Sequence, residues 1–350
     1  MRIYKQRPRR IDGFQIRRLF LRRLLGNQLC KLSLKVLNSI KIGTRGSKLA
    51  LWQANWVKTA LEKTHSGSTL SIITIKTTGD KILDAPLAKV GGKGLFVKEI
   101  EESLLNNRVD LAVHSMKDMP ARIPTGLTIG AIPKRENPKD VLISKHGKRL
   151  FHLASGSRIG TSSLRRSVQL RHARPDLVIV PLRGNLDTRI RKLEKEDLDA
   201  VVLAAAGVIR MNFEDRITEY LDEEVMLPAV GQGALCIEIR ANDPQRAALL
   251  AGMDDPESRA AVTAERAFLN RLEGSCQIPV AAYANLVGEL LVLKGLISDL
   301  DGKDMIRGAL SGPKTSGESI GVDLANRLLD SGGRAILETI ISGMNKADER

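Results

Sequence analysis

A chain of 350 residues is two to three times the usual size of a domain, so it should contain two or three hydrophobic cores that fold without disulfides. Its 43% hydrophobic and 27% charged residues exclude a disordered or low-complexity chain, and no apolar run approaches the roughly 20 residues that cross a bilayer. The three cysteines lie far apart and the five histidines lack the spacing of metal ligands, so we expect no metal site.

The net charge of +15 is concentrated near the N-terminus. Residues 1–38 contain eleven Lys and Arg against Asp12 alone, and the other 312 residues carry only +5. So small an excess, together with 3% aromatic residues, argues against phosphate-backbone binding and against base stacking. We therefore expect neither a nucleic-acid nor a membrane partner.

We expect residues 1–38 to be a disordered basic extension. Arginine pairs interrupt its apolar residues too often for a secretory signal peptide. Two interpretations stay open: a bacterial extension or upstream start, and an organelle transit peptide, which suits the lack of acidic residues but not the scarcity of serine. The low, odd number of cysteines is typical of a reducing compartment. We expect the cytoplasm, with organelle import as the alternative.

Strands and helices alternate from Ile40 onward, which predicts a first α/β domain. In chain order the pattern predicts strand 41–44, helix 48–63, strand 70–77, helix 95–106 and strand 109–116. The last strand is almost wholly apolar, as in a buried parallel sheet. Residues 133–138 are charged and bounded by prolines, and they should cross to a second domain.

The same alternation then restarts and predicts a second α/β domain. Its elements are strand 157–161, helix 162–172, strand 177–182, helix 186–195 and strand 200–206. Residues 228–233 interrupt the pattern, and residues 236–240 could return the chain to the first sheet. A smaller α+β domain follows, with a helix at 258–272, strands between 280 and 307, and a last helix at 317–330.

Arginine and small hydroxyl side chains recur where strands end and helices begin. These are Arg45 with Ser47, Thr161 and Ser163 with Arg165 and Arg166, and Arg183 with Arg189. Ligands of open α/β sheets bind at the carboxyl ends of strands, where helix N-termini attract anions. Two facing domains with such edges predict a cleft for a ligand with several carboxylates or phosphates, since arginine pairs with these groups bidentately.

The strand at 109–116 ends in Lys117 and Asp118, and Pro120 follows. Because proline restricts the residue before it, Asp118 should lie in a rigid turn at the strand end, where catalytic residues are found in such sheets. A surface ion pair between Lys117 and Asp118 is the alternative. His114 and Ser115 are a poor hydrolase dyad, because successive strand residues face opposite ways.

Two glycine-containing segments are candidate functional loops. Gly91–Gly94 lacks the spacing of a phosphate-binding loop, so we expect a mobile loop whose Lys93 and Phe96 close over an occupied site. Cys276 lies in a polar loop between a helix and a strand, which favours reactivity. Cys236 lies within an apolar strand, and we expect it to be buried and inert.

Seven motifs in this order resemble the porphobilinogen deaminase family, also called hydroxymethylbilane synthase. They are Thr44–Ser47, Gly91–Phe96, His114–Asp118, Gly160–Arg166, Leu182–Asn185, Pro228–Gly233 and Gly274–Cys276. The resemblance extends from about Ile40 to the C-terminus. Ser275 stands where many relatives have glycine, but the cysteine is kept.

The resemblance implies a transferase of tetrapyrrole biosynthesis, and hence of heme and porphyrin formation. Such an enzyme condenses four porphobilinogen molecules head to tail, releasing ammonia, on a dipyrromethane cofactor bound through a thioether to Cys276. It implies two periplasmic-binding-protein-like α/β domains and a smaller C-terminal α+β domain. We assign these to residues 39–133 plus about 234–252, to 139–228 and to 256–350.

The resemblance also implies roles for individual residues. Asp118 and Lys117 are the candidate catalytic residues, with Asp118 stabilising the cation that forms as ammonia leaves. The candidate cofactor-binding residues are Cys276, Lys117, Asp118, Ser115, Thr161, Ser163, Arg165 and Arg166. The candidate substrate-binding residues are Arg45, Ser47, Arg183, Arg189, Arg210, Lys93, Phe96 and Gln232.

Two other functions are compatible with parts of the pattern. An anion-binding solute receptor would have the two lobes and the basic cleft, but normally has an export signal and needs no reactive cysteine. An RNA-binding protein would use residues 1–38 and bind with a steep salt dependence. We expect a monomer, because no heptad or long exposed apolar stripe requires a partner.

Overall fold

The computed structural model describes residues 39–65, 67–81, 94–272 and 278–348. Three sheets organise these residues, two with five strands each and one with three. The predicted fold class, two α/β domains plus a smaller C-terminal α+β domain, is confirmed.

The first sheet has five strands and is mixed. Its elements in chain order are β1 (Ser39–Thr44), α1 (Lys48–Thr64), β2 (Thr69–Thr74), α2 (Thr78–Lys81), α3 (Lys98–Leu105), β3 (Leu111–Ser115) and β4 (Leu127–Ala131). β1 is parallel to β2 and β3. A strand from much later in the chain completes this sheet.

The second sheet is built in the same way. Its elements are β5 (Asp140–Ser144), β6 (Arg158–Gly160), α4 (Leu164–Ala173), β7 (Val178–Val180), α5 (Leu186–Lys195), β8 (Ala200–Ala204), α6 (Ala205–Arg210) and β9 (Glu219–Tyr220). β6 is parallel to β7 and β8, and β5 is antiparallel to β8 and β9. The spatial order is β7-β6-β8-β5-β9.

The chain then returns to the first sheet through β10 (Leu235–Arg240), which runs antiparallel between β3 and β4 and gives the order β2-β1-β3-β10-β4. In both sheets the fourth strand is thus antiparallel and arrives from the other domain. Two crossing segments connect the sheets, and they touch: the amide of Glu136 donates to the carbonyl of Gly233 at 3.3 Å. The first turns of α1 and α5, which follow strands of the two sheets, also meet, since Nζ of Lys48 lies 3.1 Å from Oδ2 of Asp187.

The third sheet is antiparallel and smaller. It follows α7 (Pro244–Leu250) and α8 (Pro256–Arg271), and consists of β11 (Val280–Val287), β12 (Leu290–Ser298) and β13 (Met305–Pro313). α9 (Gly317–Leu328) packs with α8 on one face, where the ring of Phe268 is fully buried. Asp255 caps α8 by accepting from the amide of Ser258 at 2.8 Å.

Two of the structure's corrections to the sequence pattern concern helices. The helix expected to be the last is followed by α10 (Arg334–Asp348), whose Leu337 is buried in the third core. The strand expected at 200–206 ends at Ala204, because the alanine and glycine residues that follow form α6. A short apolar run does not by itself distinguish a buried strand from a buried helix.

Candidate active site

A cavity opens at the carboxyl ends of β1 and β3 and encloses about 390 Å³ of space open to solvent. The polar and aromatic residues of its wall are Arg45, Ser47, Gln53, Phe96, His114, Ser115 and Asp118. Five of these seven residues were predicted as site residues, namely all except Gln53 and His114. The location agrees with the rule that ligands bind where the strands of an α/β sheet end.

Arg45 follows β1 directly and is held by an acidic partner and an aromatic ring. Its guanidinium lies 2.6 Å from Oδ1 of Asp80, and its Cζ lies 4.1 Å from the ring centroid of Phe96. Burial alone would raise the pKa of Asp80, but hydrogen bonds from Arg45 and Thr77 lower it below its usual value. Ser47 caps α1, because its hydroxyl accepts from the amide of Ala50 at 3.3 Å.

Ser115 ends β3 and is bonded to a residue that the sequence pattern did not single out. The amide nitrogen Nε2 of Gln53 donates to the Ser115 hydroxyl at 2.9 Å, and Gln53 is buried. Gln53 lies four residues after Leu49 on the inward face of a predicted helix. A polar side chain in that position was the available signal for a site residue.

Lys117 and Asp118 lie in a single 3-10 turn, Met116–Asp118, which ends before Pro120. The rigid turn expected for Asp118 is therefore present. Among the described residues, no hydrogen bond or ion pair engages the Asp118 carboxylate. Although Lys117 keeps an exposed surface, its ammonium group loses solvent in the folded chain. This loss, followed by the nearby charge of Arg166, lowers the pKa of Lys117 to about 8.

Arg165 and Arg166 begin α4 and are both buried against one carboxylate. The nearest guanidinium nitrogen of each lies 2.7 Å from an oxygen of Asp140. Arg165 also donates to the carbonyl of Leu227 at 2.7 Å, and Arg166 to that of Val202 at 3.0 Å. The two side chains diverge along the helix, but their position in its first turn lets both reach Asp140.

Asp140 was not among the predicted site residues. It is completely buried at the start of β5, and burial would raise its pKa. The charges of Arg165 and Arg166 outweigh that effect and lower the pKa of Asp140 to about 2. A single acid at the head of the apolar run 140–143 was the available signal, because a charge in a buried strand requires a partner.

Thr161 and Ser163 form the connection from β6 into α4. Thr161 is buried, its amide donates to the carbonyl of Val180 at 2.9 Å, and its hydroxyl accepts from the amide of Ser163 at 3.2 Å. Ser163 is the N-cap residue of α4 but makes no capping bond with its side chain. Both residues thus lie at the helix end that carries the two buried arginines.

Arg183 and Arg189 bring positive charge from the second domain toward the turn of the first. Nε of Arg189 donates to the carbonyl of Gly184 at 2.8 Å. Burial, then the charges of Arg166 and Arg183, lower the pKa of Arg189 to about 10, and the charge of Asp118 opposes this shift. Asp118 and Arg189 therefore interact electrostatically across the cleft.

Arg210 and Gln232 lie where the crossing segments meet. Arg210 donates to the carbonyl of Gly233 at 2.8 Å, and its guanidinium carbon lies 5.9 Å from the ring centroid of Trp52. Gln232 is fully buried and donates from Nε2 to the carbonyl of Pro138 at 2.7 Å. In this structure both side chains are bonded within the connection between the two domains.

Lys93 and Cys276 lie outside the described residues. Cys236 is buried, and burial raises the pKa of its thiol above the ordinary value, as expected for an inert strand residue. Within the described ranges, no His, Cys, Asp or Glu side chains are grouped to hold a metal ion, and no helix has the length and apolarity to cross a membrane.

The fold and the site together define a protein with two α/β lobes and a cationic cleft, and with a carboxylate at a strand end that forms no ion pair with the described residues. Residues 40–248 match the family model described as porphobilinogen deaminase, dipyromethane cofactor binding domain. Residues 259–330 match that of the porphobilinogen deaminase C-terminal domain. The chain belongs to the porphobilinogen deaminase family.

Curated members of this family are similar to this chain over nearly their whole length. The chain is 54% identical to the porphobilinogen deaminase of Pelobacter propionicus over 301 residues, covering 86% of this chain and 97% of the relative. It is 54% identical to that of Syntrophus aciditrophicus over 304 residues, covering 87% and 99%. The predicted family, its transferase activity in tetrapyrrole biosynthesis and its dipyrromethane cofactor are confirmed.

Solved structures of lower similarity were also found. The probable amino-acid ABC transporter extracellular-binding protein ytmK from Bacillus subtilis has a TM-score of 0.39 and 11% identity, over 62% of this chain and 91% of that chain. YhfZ from Shigella flexneri has a TM-score of 0.34 and 16% identity, over 70% and 96%.

Proposed function

We propose that the condensation of four porphobilinogen molecules takes place in the cleft between the Met116–Asp118 turn and α5, with Asp118 as the central catalytic residue. The observation that supports this most directly is the state of Asp118. Its carboxylate is unpaired among the described residues, while Asp140 and Asp80 are bonded to arginines. A free carboxylate facing a cleft is available to a developing positive charge on a substrate.

The positive charge of the cleft fits a dipyrromethane cofactor, which carries acetate and propionate groups. Burial, and then the charge of Arg166, lower the pKa of both Lys117 and Arg189. These cations therefore repel Arg166, and each would gain from an added carboxylate. A ligand rich in carboxylates relieves this repulsion.

The residues proposed to hold the cofactor fall into three groups. Cys276 supplies the thioether sulfur; Lys117, Arg165 and Arg166 supply positive charge; Ser115, Thr161, Ser163 and Asp118 supply hydrogen bonds. When bound, the dipyrromethane supplies the nucleophilic α-carbon on which the pyrrole chain is extended. Because Asp140 already accepts from Arg165 and Arg166, we propose that it positions the two guanidinium groups for the cofactor.

Asp118 acts on the substrate as ammonia leaves. Positive charge then develops at the pyrrole nitrogen, and an ionised carboxylate held in a rigid turn stabilises it without reorganising. The same oxygens can accept a hydrogen bond from the pyrrole N–H, and they can take up its proton and return it. Lys117 precedes Asp118 in the same turn, and we propose that it is the second catalytic residue.

Incoming porphobilinogen meets cations from both lobes. We propose that Arg45 and Ser47 bind its carboxylates at the β1 end, and that Arg183 and Arg189 do so from α5 and the loop before it. Phe96 packs against Arg45 and keeps its guanidinium in place at the cavity wall. Lys93, Arg210 and Gln232 are the other proposed substrate-binding residues.

Other aspects of the predicted protein also remain proposals. We propose domain boundaries at residues 39–133 plus about 234–252, 139–228 and 256–350, since the sheets and crossing segments follow this division. We also propose that the protein is a cytoplasmic monomer. We further propose that it does not bind nucleic acid, because most of the excess charge lies in residues 1–38. Import into an organelle is the alternative.

Intact mass of the freshly purified protein tests this function. We expect a mass above that of the polypeptide by one dipyrrole, restored by porphobilinogen if it has been lost. Cys276→Ser should abolish the adduct, and the matched control Cys236→Ala should keep it, because Cys236 is buried in β10. A wild-type protein with the bare polypeptide mass, even after incubation with porphobilinogen, would contradict the proposal.

A further inference from the structure

Behind the cavity wall lies a buried acid–histidine cluster, formed by Glu101 on α3, Glu238 on β10 and His114 on β3. Their exposed fractions are 7%, 0% and 5%. Nε2 of His114 lies 3.1 Å from Oε2 of Glu238. Three elements that are distant in the chain thus bring two carboxyl groups and an imidazole together without solvent.

Two carboxyl oxygens of this cluster lack hydrogen bonds within the described residues. Oε1 of Glu101 and Oε1 of Glu238 are both buried, and neither accepts a bond from the part of the chain that the structure describes. A buried carboxylate without a donor is costly, and two adjacent ones repel each other. One proton placed on a carboxyl oxygen removes a charge and supplies a donor.

The surroundings indicate which group carries that proton. Burial, followed by the charge of Glu238, raises the pKa of Glu101 to about 7, and the charge of His114 partly offsets this shift. The other charged or titratable side chains that face the cluster are Glu102 on α3, Cys236 on β10, and Arg259 and Arg266 on α8. The charge of Glu102 raises the pKa of Glu101 further.

We propose that Glu101 keeps a proton, so that a second negative charge does not disturb the bonded pair of Glu238 and His114, and that this pair fixes His114 in the wall of the active site. His114 lines the same cavity as Asp118 and directly precedes the segment Ser115–Asp118. The cluster is therefore a positioning group for the catalytic turn. This functional role rests on the proposed site of reaction beside Asp118.

The proposal makes stability depend on pH in one direction. The carboxyl of Glu101 has its ordinary pKa near 4.5 when the chain is unfolded and about 7 when it is folded. Between these values the folded protein holds the proton and the unfolded chain does not, so the free energy of unfolding falls as pH rises. Above about pH 7 this contribution is fully lost.

Infrared difference spectroscopy during a pH titration of the holoenzyme tests where the proton lies. We expect the carbonyl band of a protonated carboxylic acid that disappears as pH rises through about 7. The band should be absent in Glu101→Gln and present in Glu102→Gln, its exposed neighbour. A wild type without the band, or a band that survives in Glu101→Gln, would overturn the assignment.

Kinetics of the same variants test positioning. In Glu101→Ala we expect kcat to fall roughly tenfold or more with KM little changed. Glutamine is uncharged and close in size to a protonated glutamic acid, so Glu101→Gln should recover most of the lost kcat. His114→Gln should likewise exceed His114→Ala, and Glu102→Gln should match the wild type.

Equal kcat for the alanine and wild-type proteins at both positions would overturn the positioning role. If an alanine variant does not fold, urea unfolding of Glu101→Gln and of the wild type at pH 5 and pH 8 is the deciding measurement. The free energy of unfolding of the wild type should fall from pH 5 to pH 8, and this fall should be smaller in Glu101→Gln. An unchanged fall would contradict the proposal. Absence of a dipyrrole adduct in the wild type would instead refute the proposed function, while the infrared result would still decide where the proton lies.

Discussion

Asp140 and Arg166 form an ion pair from which solvent is excluded, with 2.7 Å between Oδ1 and Nη2. Arg165 completes the arrangement from the adjacent position on α4, with Nη1 at 2.7 Å from Oδ2. Two guanidinium groups thus share one carboxylate, and the trio keeps a net positive charge. The positive charge available to an anionic ligand is therefore the one guanidinium charge that Asp140 does not neutralise.

Asp140→Asn should strongly destabilise the protein. Removing one partner of a buried ion pair leaves charge without compensation, which costs about 3–5 kcal/mol. The measurement is the free energy of unfolding by urea at pH 7. The control is Asp222→Asn, which removes the surface partner of Lys139 and should cost about 0–1 kcal/mol. Similar losses in the two variants would contradict the assignment.

The same carboxylate gives stability an acidic limb. Because the pKa of Asp140 is lowered from 3.8 to about 2, its contribution is complete above about pH 4 and is lost as pH falls toward 2. Asp140→Asn should lack this component when unfolding is measured across that window.

Asp118→Asn should lower kcat by about 10²-fold or more, because an amide cannot stabilise positive charge as an ionised carboxylate does. The dipyrrole adduct should remain attached and visible by intact mass. Asp197→Asn, whose carboxylate is exposed, is the matched control and should keep normal activity. Near-normal turnover in Asp118→Asn would dismiss the catalytic assignment.

Lys117 should give kcat/KM a basic limb. Its pKa of about 8 means that the cation is present below this pH and is lost as pH rises through it. Binding of carboxylates by the free enzyme should weaken in parallel, since kcat/KM reports groups of the free enzyme. In Lys117→Met we expect a lower kcat/KM at pH 7 and no fall near pH 8. A variant that retains the limb would show that another group titrates.

Arg183→Ala should weaken a particular step of chain elongation. Losing one carboxylate partner affects the pyrrole unit bound there more than the others, so partly extended covalent species should accumulate in intact-mass spectra. The control is Arg191→Ala on the exposed face of α5, where the guanidinium contacts Thr188. An unchanged distribution of species in Arg183→Ala would count against its carboxylate role.

Gly233→Ala should be more damaging than a glycine substitution at a loop tip. Gly233 has φ +88, and a Cβ there would lie 2.4 Å from the carbonyl oxygen of Glu136 in the facing crossing segment. Gly147 has φ +67, and an added Cβ would have nothing within 4 Å. Gly147→Ala should therefore lower the free energy of unfolding only by the cost of holding alanine in the left-handed conformation, about 1–2 kcal/mol. Urea unfolding compares them, and equal losses would show that the crossing segments can separate freely.

Much of the fold was predictable because its signals are local. The helix expected at 186–195 has those bounds in the structure, and the strand expected at 236–240 is β10, which returns to the first sheet. Helix α10 was missed although Ile336, Leu337, Ile340 and Ile341 have helical spacing. Strand β5 was missed because its five residues are too short to show a period.

The sequence by itself determined the α/β alternation, the family and the residues placed at strand ends, because periodicity and ordered motifs are written along the chain. Only the tertiary structure decided how those charges are balanced. Asp140 reaches Arg165 from 25 residues away, and Glu238 reaches His114 from 124. Burial and the charges of Arg165 and Arg166 set the protonation of Asp140, and these surroundings form only when the chain folds.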